Sequence, residues 1–308
     1  MEALAIILDK PRSISFTPVV LSDPAPQAVV VETRFSGISS GTERLLYTGE
    51  MPDFPGMGYP LVPGYESVGR VIESGAPELR PGDAVFVPGA RCYCDVRALF
   101  GGSASTLHSP ADRLHKIDDA TPDMTLFALA ATAHHAIAVG GAPNLVMGHG
   151  ALGQLIARVT AALGHPHPRV HEVNEKRAQC EDYEVVHPEA DDRSDYRVVM
   201  DATGDDAVLD TAIARIAPGG RITLAGFYSA RLSFPFPAAF MREASITVAA
   251  QWLPADMAAV RGLLDAGRLS FEGLVTHQAK ASDSATAYPI AFEDPDCLKM
   301  ALNWGSNP

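Results

Sequence analysis

Residues 144–164, NLVMGHGALGQLIARVTAALG, carry an apolar strand into Gly148-His149-Gly150-Ala151-Leu152-Gly153 and on into an amphipathic helix. The first glycine permits a tight turn, the second lets backbone N–H groups approach a pyrophosphate, and the third lets the helix pack on the strand. Leu152 falls in the first helical turn, at the end that carries partial positive charge where phosphates would sit. Glu172 closes the next apolar run, Arg169-Val170-His171-Glu172, where a ribose-binding carboxylate belongs. A glycine-rich helix start alone would say little; strand, helix and acid together predict a dinucleotide site.

This signature starts only at Gly148, so a separate domain is expected to precede it. Residues 1–120 read as short strands (3–8, 28–36, 67–74, 84–87) broken by Pro11, Pro24-Ala25-Pro26, Pro63-Gly64 and Pro81-Gly82-Asp83. That pattern predicts a compact β-barrel-like domain. Residues 123–139 switch to helical composition. Strands at 145–147, 169–173, 197–201, 221–226 and 245–250 then alternate with helices at 151–163, 206–216 and 254–266, with a turn at Pro218-Gly219-Gly220. The alternation predicts a doubly wound parallel sheet. The expected division is 1–122 with 267–308 for the first domain, and 123–266 for the nucleotide-binding one.

The chain has 308 residues, 47% hydrophobic and 20% charged, an ordinary balance for a globular protein. Its net charge of −13 argues against a nucleic-acid partner, which rewards clustered Lys and Arg. No run reaches the ~18 apolar residues of a membrane span. The opening MEALAIILDKPRSISF has no basic leader or cleavage site and reads as a first strand. Cys92, Cys94, Cys180 and Cys297 are too scattered for a disulfide framework and fit reduced thiols in the cytoplasm.

Several blocks resemble the medium-chain dehydrogenase/reductase superfamily. They are Phe35-Ser36-Gly37-Ile38, Pro60-Leu61-Val62-Pro63-Gly64-Tyr65-Glu66, Thr132-Ala133-His134-His135-Ala136, Asp201-Ala202-Thr203-Gly204, the segment from Pro218 to Gly226, and Leu298-Lys299-Met300-Ala301-Leu302-Asn303-Trp304. The resemblance implies an α/β protein: a GroES-like catalytic β-barrel and a Rossmann domain, paired as a homodimer. It places Thr203, Gly204 and Gly226 at the cofactor beside Gly148, Gly150, Leu152, Gly153 and Glu172.

The departures from that pattern are informative. Zinc-dependent members have a Cys two residues before a Thr and a His just before a Glu. Here the corresponding residues are Ser40-Gly41-Thr42-Glu43 and Tyr65-Glu66, and Leu126–Ala133 offers no Cys, Asp or Glu. Only Cys92 and Cys94 remain where a structural zinc loop needs four cysteines. Neutral Ser and Tyr oxygens do not make a tetrahedral zinc site, so no metal is expected. More narrowly, residues 37–66, with Gly56-Met57-Gly58-Tyr59-Pro60 and Gly64-Tyr65-Glu66-Ser67, resemble the 3-hydroxyethyl bacteriochlorophyllide a dehydrogenases of bacteriochlorophyll biosynthesis. This implies NAD-dependent oxidation of a 1-hydroxyethyl group on a tetrapyrrole to acetyl.

Without zinc, another group must receive the carbinol proton. Thr42 stands where the superfamily has its relay hydroxyl, and Tyr65 and Glu66 flank the vacated metal position. A carboxylate in a water-poor cleft is a candidate general base; its plainer role is a structural pair with an arginine. Glu43 reads as orienting backbone or pairing with Arg44. Met51, Phe54, Met57 and Tyr59, with Phe227 and Tyr228, suit a broad planar substrate or, equally, core packing. His134 and His135 point to different helix faces and read as packing. Two other functions compete: a zinc-free quinone or enoyl reductase, whose usual NADPH disfavours an acid at Glu172, and a non-catalytic nucleotide-binding protein.

Overall fold

The computed structural model describes residues 1–53 and 55–305. Two compact units emerge, Met1–Phe127 with Phe271–Pro308, and Ala128–Ser270.

The first unit is built on the strand Ala28–Ile38, AVVVETRFSGI, whose run of β-branched residues is buried. It pairs antiparallel with Ser67–Ser74, Thr106–Pro110 and Met300–Asn303, so the chain's last strand joins a sheet begun near its start. A second sheet contains Ser13–Val20, Glu2–Lys10, Leu61–Val62 and Arg97–Ala98. Val29, Val31, Val71, Val85 and Leu107 fill one core, and Ile38, Leu46, Leu61, Tyr288 and Leu302 another. The second core gathers residues from both ends of the chain around the helix Thr42–Thr48.

In the second unit six parallel strands lie in the order Val185–Val186, Arg169–His171, Leu145–Met147, Tyr196–Asp201, Ile216–Leu224, Ser245–Val248. Counted from Leu145–Met147 this is 3-2-1-4-5-6, the Rossmann order. The order reverses between Leu145–Met147 and Tyr196–Asp201, and ligands of such sheets bind outside the carboxyl ends there. The expected turn at Pro218-Gly219-Gly220 is instead a bulge inside Ile216–Leu224, where the register slips and Gly219 takes φ of 72°. The positive φ lets the chain kink without leaving the sheet. The 3-10 turns Glu175–Arg177 and Pro188–Ala190 lead from Arg169–His171 to Val185–Val186 and from there to Tyr196–Asp201.

Buried Asp191 holds the strand Arg169–His171, which leads into Glu172. It accepts from His171 Nε2 at 2.7 Å, Tyr196 Oη at 2.7 Å and Arg169 at 3.0 Å. These bonds outweigh burial and keep its carboxyl well below the usual carboxylate range. Asp191→Ala leaves the buried His171 imidazole and Tyr196 hydroxyl without their acceptor, and is expected to cost about 3 kcal/mol in urea unfolding. An unchanged midpoint would show that the strand is held by other contacts.

Candidate active site

Gly148 takes φ of 94°, a conformation open to glycine at little cost. A Cβ on Gly153 would drive into the carbonyl oxygen of Gly148, so the helix Ala151–Ala162 can approach its strand this closely only with hydrogen there. A Cβ on Gly150 would meet nothing within 4 Å, so the approach to the helix N-terminus is open. Gly150 caps that helix without a side-chain bond, leaving first-turn N–H groups for a ligand. Leu152 is half-buried beside it.

Thr203, Gly204 and Gly226 converge on the same strand ends. A Cβ on Gly148 would meet Thr203 Cγ2 at 3.1 Å, and one on Gly226 would meet the Gly204 nitrogen at 3.1 Å. Asp201 fixes this corner, accepting from the Thr203 amide at 3.1 Å and Thr203 Oγ1 at 2.7 Å. Tyr228, expected to face substrate, turns its hydroxyl onto Asp201 as well, because a buried carboxylate needs donors. Phe227 beside it is half exposed.

Glu172 is more constrained than a free ribose ligand. Its carboxylate accepts from the backbone N–H groups of His149, Val173 and Asn174, each at 2.8 Å. That occupies about three of its roughly four acceptor positions. His149 completes the clamp, one ring nitrogen meeting the Arg177 carbonyl and the other Tyr183 Oη at 2.8 Å. Burial lowers the His149 pKa and keeps the ring neutral. Nothing in the sequence distinguished His149 from any spacer in the glycine motif.

In the first unit, the helix Thr42–Thr48 starts at half-buried Thr42 and turns Glu43 into the core. Tyr65 Oη lies 2.7 Å from Ser39 Oγ and is also hydrogen-bonded by Thr42. Its ring stands edge-on to Phe100 at 5.1 Å. Burial, reinforced by nearby Glu66, pushes the phenol above its ordinary range, so it stays protonated. Fully buried Glu66 is in direct contact with Lys299 Nζ through Oε2, while Oε1 has no partner. A Cβ on Gly37 would strike both members of this pair. The plainer reading of Glu66, a structural pair with an arginine, is corrected in its partner, which is a lysine. Glu43 ignores Arg44 and accepts from Tyr288 Oη at 2.7 Å and the Ser39 amide at 3.2 Å.

Met51, Met57 and Tyr59 are half-buried and pack on the core around Leu46 and Tyr288, and Tyr59 gives its hydroxyl to the Leu46 carbonyl. They owe at least part of their positions to packing. Phe54 lies outside the described residues. His134 and His135, though adjacent on one helix, both reach Asp256 with Nδ1, at 2.7 and 2.9 Å. A carboxylate between them satisfies both rings, which the helix-face argument did not foresee. All four cysteines are free.

Residues 25–119 match the alcohol dehydrogenase GroES-like domain. The chain is 50% identical to the 2-desacetyl-2-hydroxyethyl bacteriochlorophyllide A dehydrogenase of Cereibacter sphaeroides, over 99% of each chain. It belongs to that family, within the medium-chain dehydrogenase/reductase superfamily. The protein of the same name from Rhodobacter capsulatus is 48% identical, again over 99% of each. An alcohol dehydrogenase from E. coli CFT073 solved with NADH has the same fold: TM-score 0.82, 20% identity, 98% of this chain and 99% of that one.

Many members of the superfamily carry zinc, and the donors present here do not fit it. Ser40 is exposed and uncharged, Tyr65 is held protonated, and Glu66 is engaged by Lys299. Among the described residues no three His, Cys, Asp or Glu side chains are grouped to hold a metal ion.

Lys299→Met strands a buried anion at Glu66 and is expected to cost about 3–5 kcal/mol. Adding Glu66→Gln should recover most of that loss. Denaturant melts of both variants check this; equal stability of the single and double variants would mean the pair is not coupled.

Proposed function

We propose that this protein oxidises the 1-hydroxyethyl side chain of a bacteriochlorophyllide-type tetrapyrrole to an acetyl group, passing hydride to NAD without zinc. The observation that carries the reading is the 50% identity, end to end, with a dehydrogenase named for a hydroxyethyl bacteriochlorophyllide. The geometry agrees with it in both units.

The residues suited to the dinucleotide are Gly148, Gly150, Leu152 and Gly153 at the helix N-terminus, with Thr203, Gly204 and Gly226 at the neighbouring strand end. When bound, the nicotinamide supplies the hydride acceptor. Glu172 favours NAD over NADP, because its carboxylate sits among the loop amides and repels a 2′-phosphate. On the proton side, Thr42 and Tyr65 are neutral hydroxyls that hold the carbinol O–H and orient its carbon for hydride loss. The macrocycle helps, since positive charge developing at the carbinol carbon spreads into its conjugated system and leaves less for the protein to stabilise. Met51, Met57 and Tyr59 are the side chains we assign to the ring system.

The same reading takes the protein to be a cytoplasmic homodimer. A groove of about 810 Å³ in the second unit is walled by Leu209, Leu232, Phe234, Phe236, Phe240 and Met241. Phe236, Phe240 and Met241 are 66%, 67% and 77% exposed. Ser245–Val248 is an edge strand beside this groove. Apolar surface next to an open sheet edge favours a second copy over water. Among the described residues no helix is long and apolar enough to cross a membrane.

Deuterium on the carbinol carbon should appear in the reduced cofactor, and the product should absorb further to the red as its carbonyl joins the conjugated ring. Protein that leaves the pigment untouched but reduces quinones or enones belongs to the reductase reading instead. A chelator should leave the rate unchanged; parallel loss of activity and about one zinc per chain would reverse the metal assignment. The ratio of kcat/KM should favour NAD over NADP, and Glu172→Ala should narrow it by weakening NAD, through the lost carboxylate and the loosened loop together. A preference for NADP in the wild type would end the cofactor assignment.

A further inference from the structure

Three fully or nearly fully buried ionisable groups meet behind Tyr65: Glu43, Glu66 and Lys299. One ammonium compensates one carboxylate, and Lys299 is in contact with Glu66. Glu43 is held instead by two neutral donors, Tyr288 Oη and the Ser39 amide. Ser39 also faces the other way, its Oγ 2.7 Å from Tyr65 Oη, which in turn bonds Thr42. A single residue thus touches Glu43 through its backbone and the hydroxyl run of the site through its side chain.

We propose that Glu43 is the positioning residue for proton release, its negative charge stabilising the carbinol proton as it enters the run Thr42–Tyr65–Ser39. The inference rests on the dehydrogenase reading above and names the charge that works there in place of a metal. As the C–H bond breaks and its electron pair leaves with hydride for the nicotinamide, the O–H proton passes to Thr42. Each hydroxyl accepts one proton and hands on its own, so the run is unchanged and one proton reaches water per hydride transferred. With Glu43 protonated the run loses its stabilising charge and slows.

The groups facing Glu43 from the packed elements set where it titrates. They are Tyr288 on the helix Ser284–Glu293, backed by Ser103; Tyr65 and Glu66 on the segment before Ser67–Ser74; Ser39; and Lys299. Burial, aided by the charge of Glu66 and opposed by the bonds from Tyr288 and Ser39, pushes the Glu43 pKa up to about 7. Oxidation should therefore rise with pH through neutrality and level off once Glu43 is ionised.

Infrared difference spectra of the wild-type protein across this range should show a protonated-carboxyl band that disappears with a midpoint near 7 and is missing from Glu43→Gln. The kcat profile for pigment oxidation should follow the same midpoint and fall below it, by up to about tenfold per pH unit, to the low rate of the protonated form. Glu43→Gln should lose that limb and run at a low, flat rate, and Glu43→Asp should restore a displaced limb. Tyr288→Phe removes a bond that favours the charged form, so band and limb should move together to higher pH. A band that persists in Glu43→Gln, or an identical limb in that variant while NADH still forms, overturns the inference alone. Failure of the wild type to form NADH from the pigment at any pH overturns the functional reading and this inference with it.

Discussion

Lys299 reaches from just before the strand Met300–Asn303 to Glu66, and the carboxylate it does not reach, Glu43, is left to neutral donors. Charges cannot be left bare in a dry interior, so this one allocation fixes the character of the site. Glu66 is taken by the Lys299 ammonium. Glu43 becomes a carboxylate poised between its charged and neutral forms. Tyr65, buried with both acids nearby, is held as a neutral phenol. Gly37 belongs to the same constraint, since a side chain there would occupy the space in which the pair meets.

The second unit is governed by a steric rule. The contact between Gly153 and the Gly148 carbonyl sets how near the helix comes to its strand, and hence where the helix N-terminus points. Glu172 and His149 then brace the loop from outside, the acid through backbone amides and the imidazole through a carbonyl and a phenol. A loop braced in this way is organised before a ligand arrives, which lowers the ordering cost of binding.

Local chemistry made much of this legible. The glycine spacing, the apolar strand before it and the amphipathic helix after it are contiguous, and each has one physical reading, so the dinucleotide loop and its parallel sheet could be read directly. The missing Cys and His near residues 40 and 65 were equally plain, because donor chemistry is a property of residue type. The roles of the acids were not legible. Nothing near Glu66 in sequence announces Lys299, and nothing near Glu43 announces Tyr288; each pair meets only because the last strand and helix fold back onto the first sheet. The partners of Tyr228 and Tyr59 were hidden for the same reason, since their hydroxyls go to Asp201 and to the Leu46 carbonyl.

The sequence by itself determined the fold class, the alternation of strand and helix in the second unit, the glycine turn from Gly148 to Gly153 and the lack of Cys and His near residues 40 and 65, all of them consequences of periodicity, spacing and residue chemistry. Only the tertiary structure decided which acid meets Lys299, which partner each tyrosine takes and which histidines share a carboxylate. Those outcomes depend on burial and on partners distant in the chain, and a pKa or a hydrogen bond has no value until both are in place.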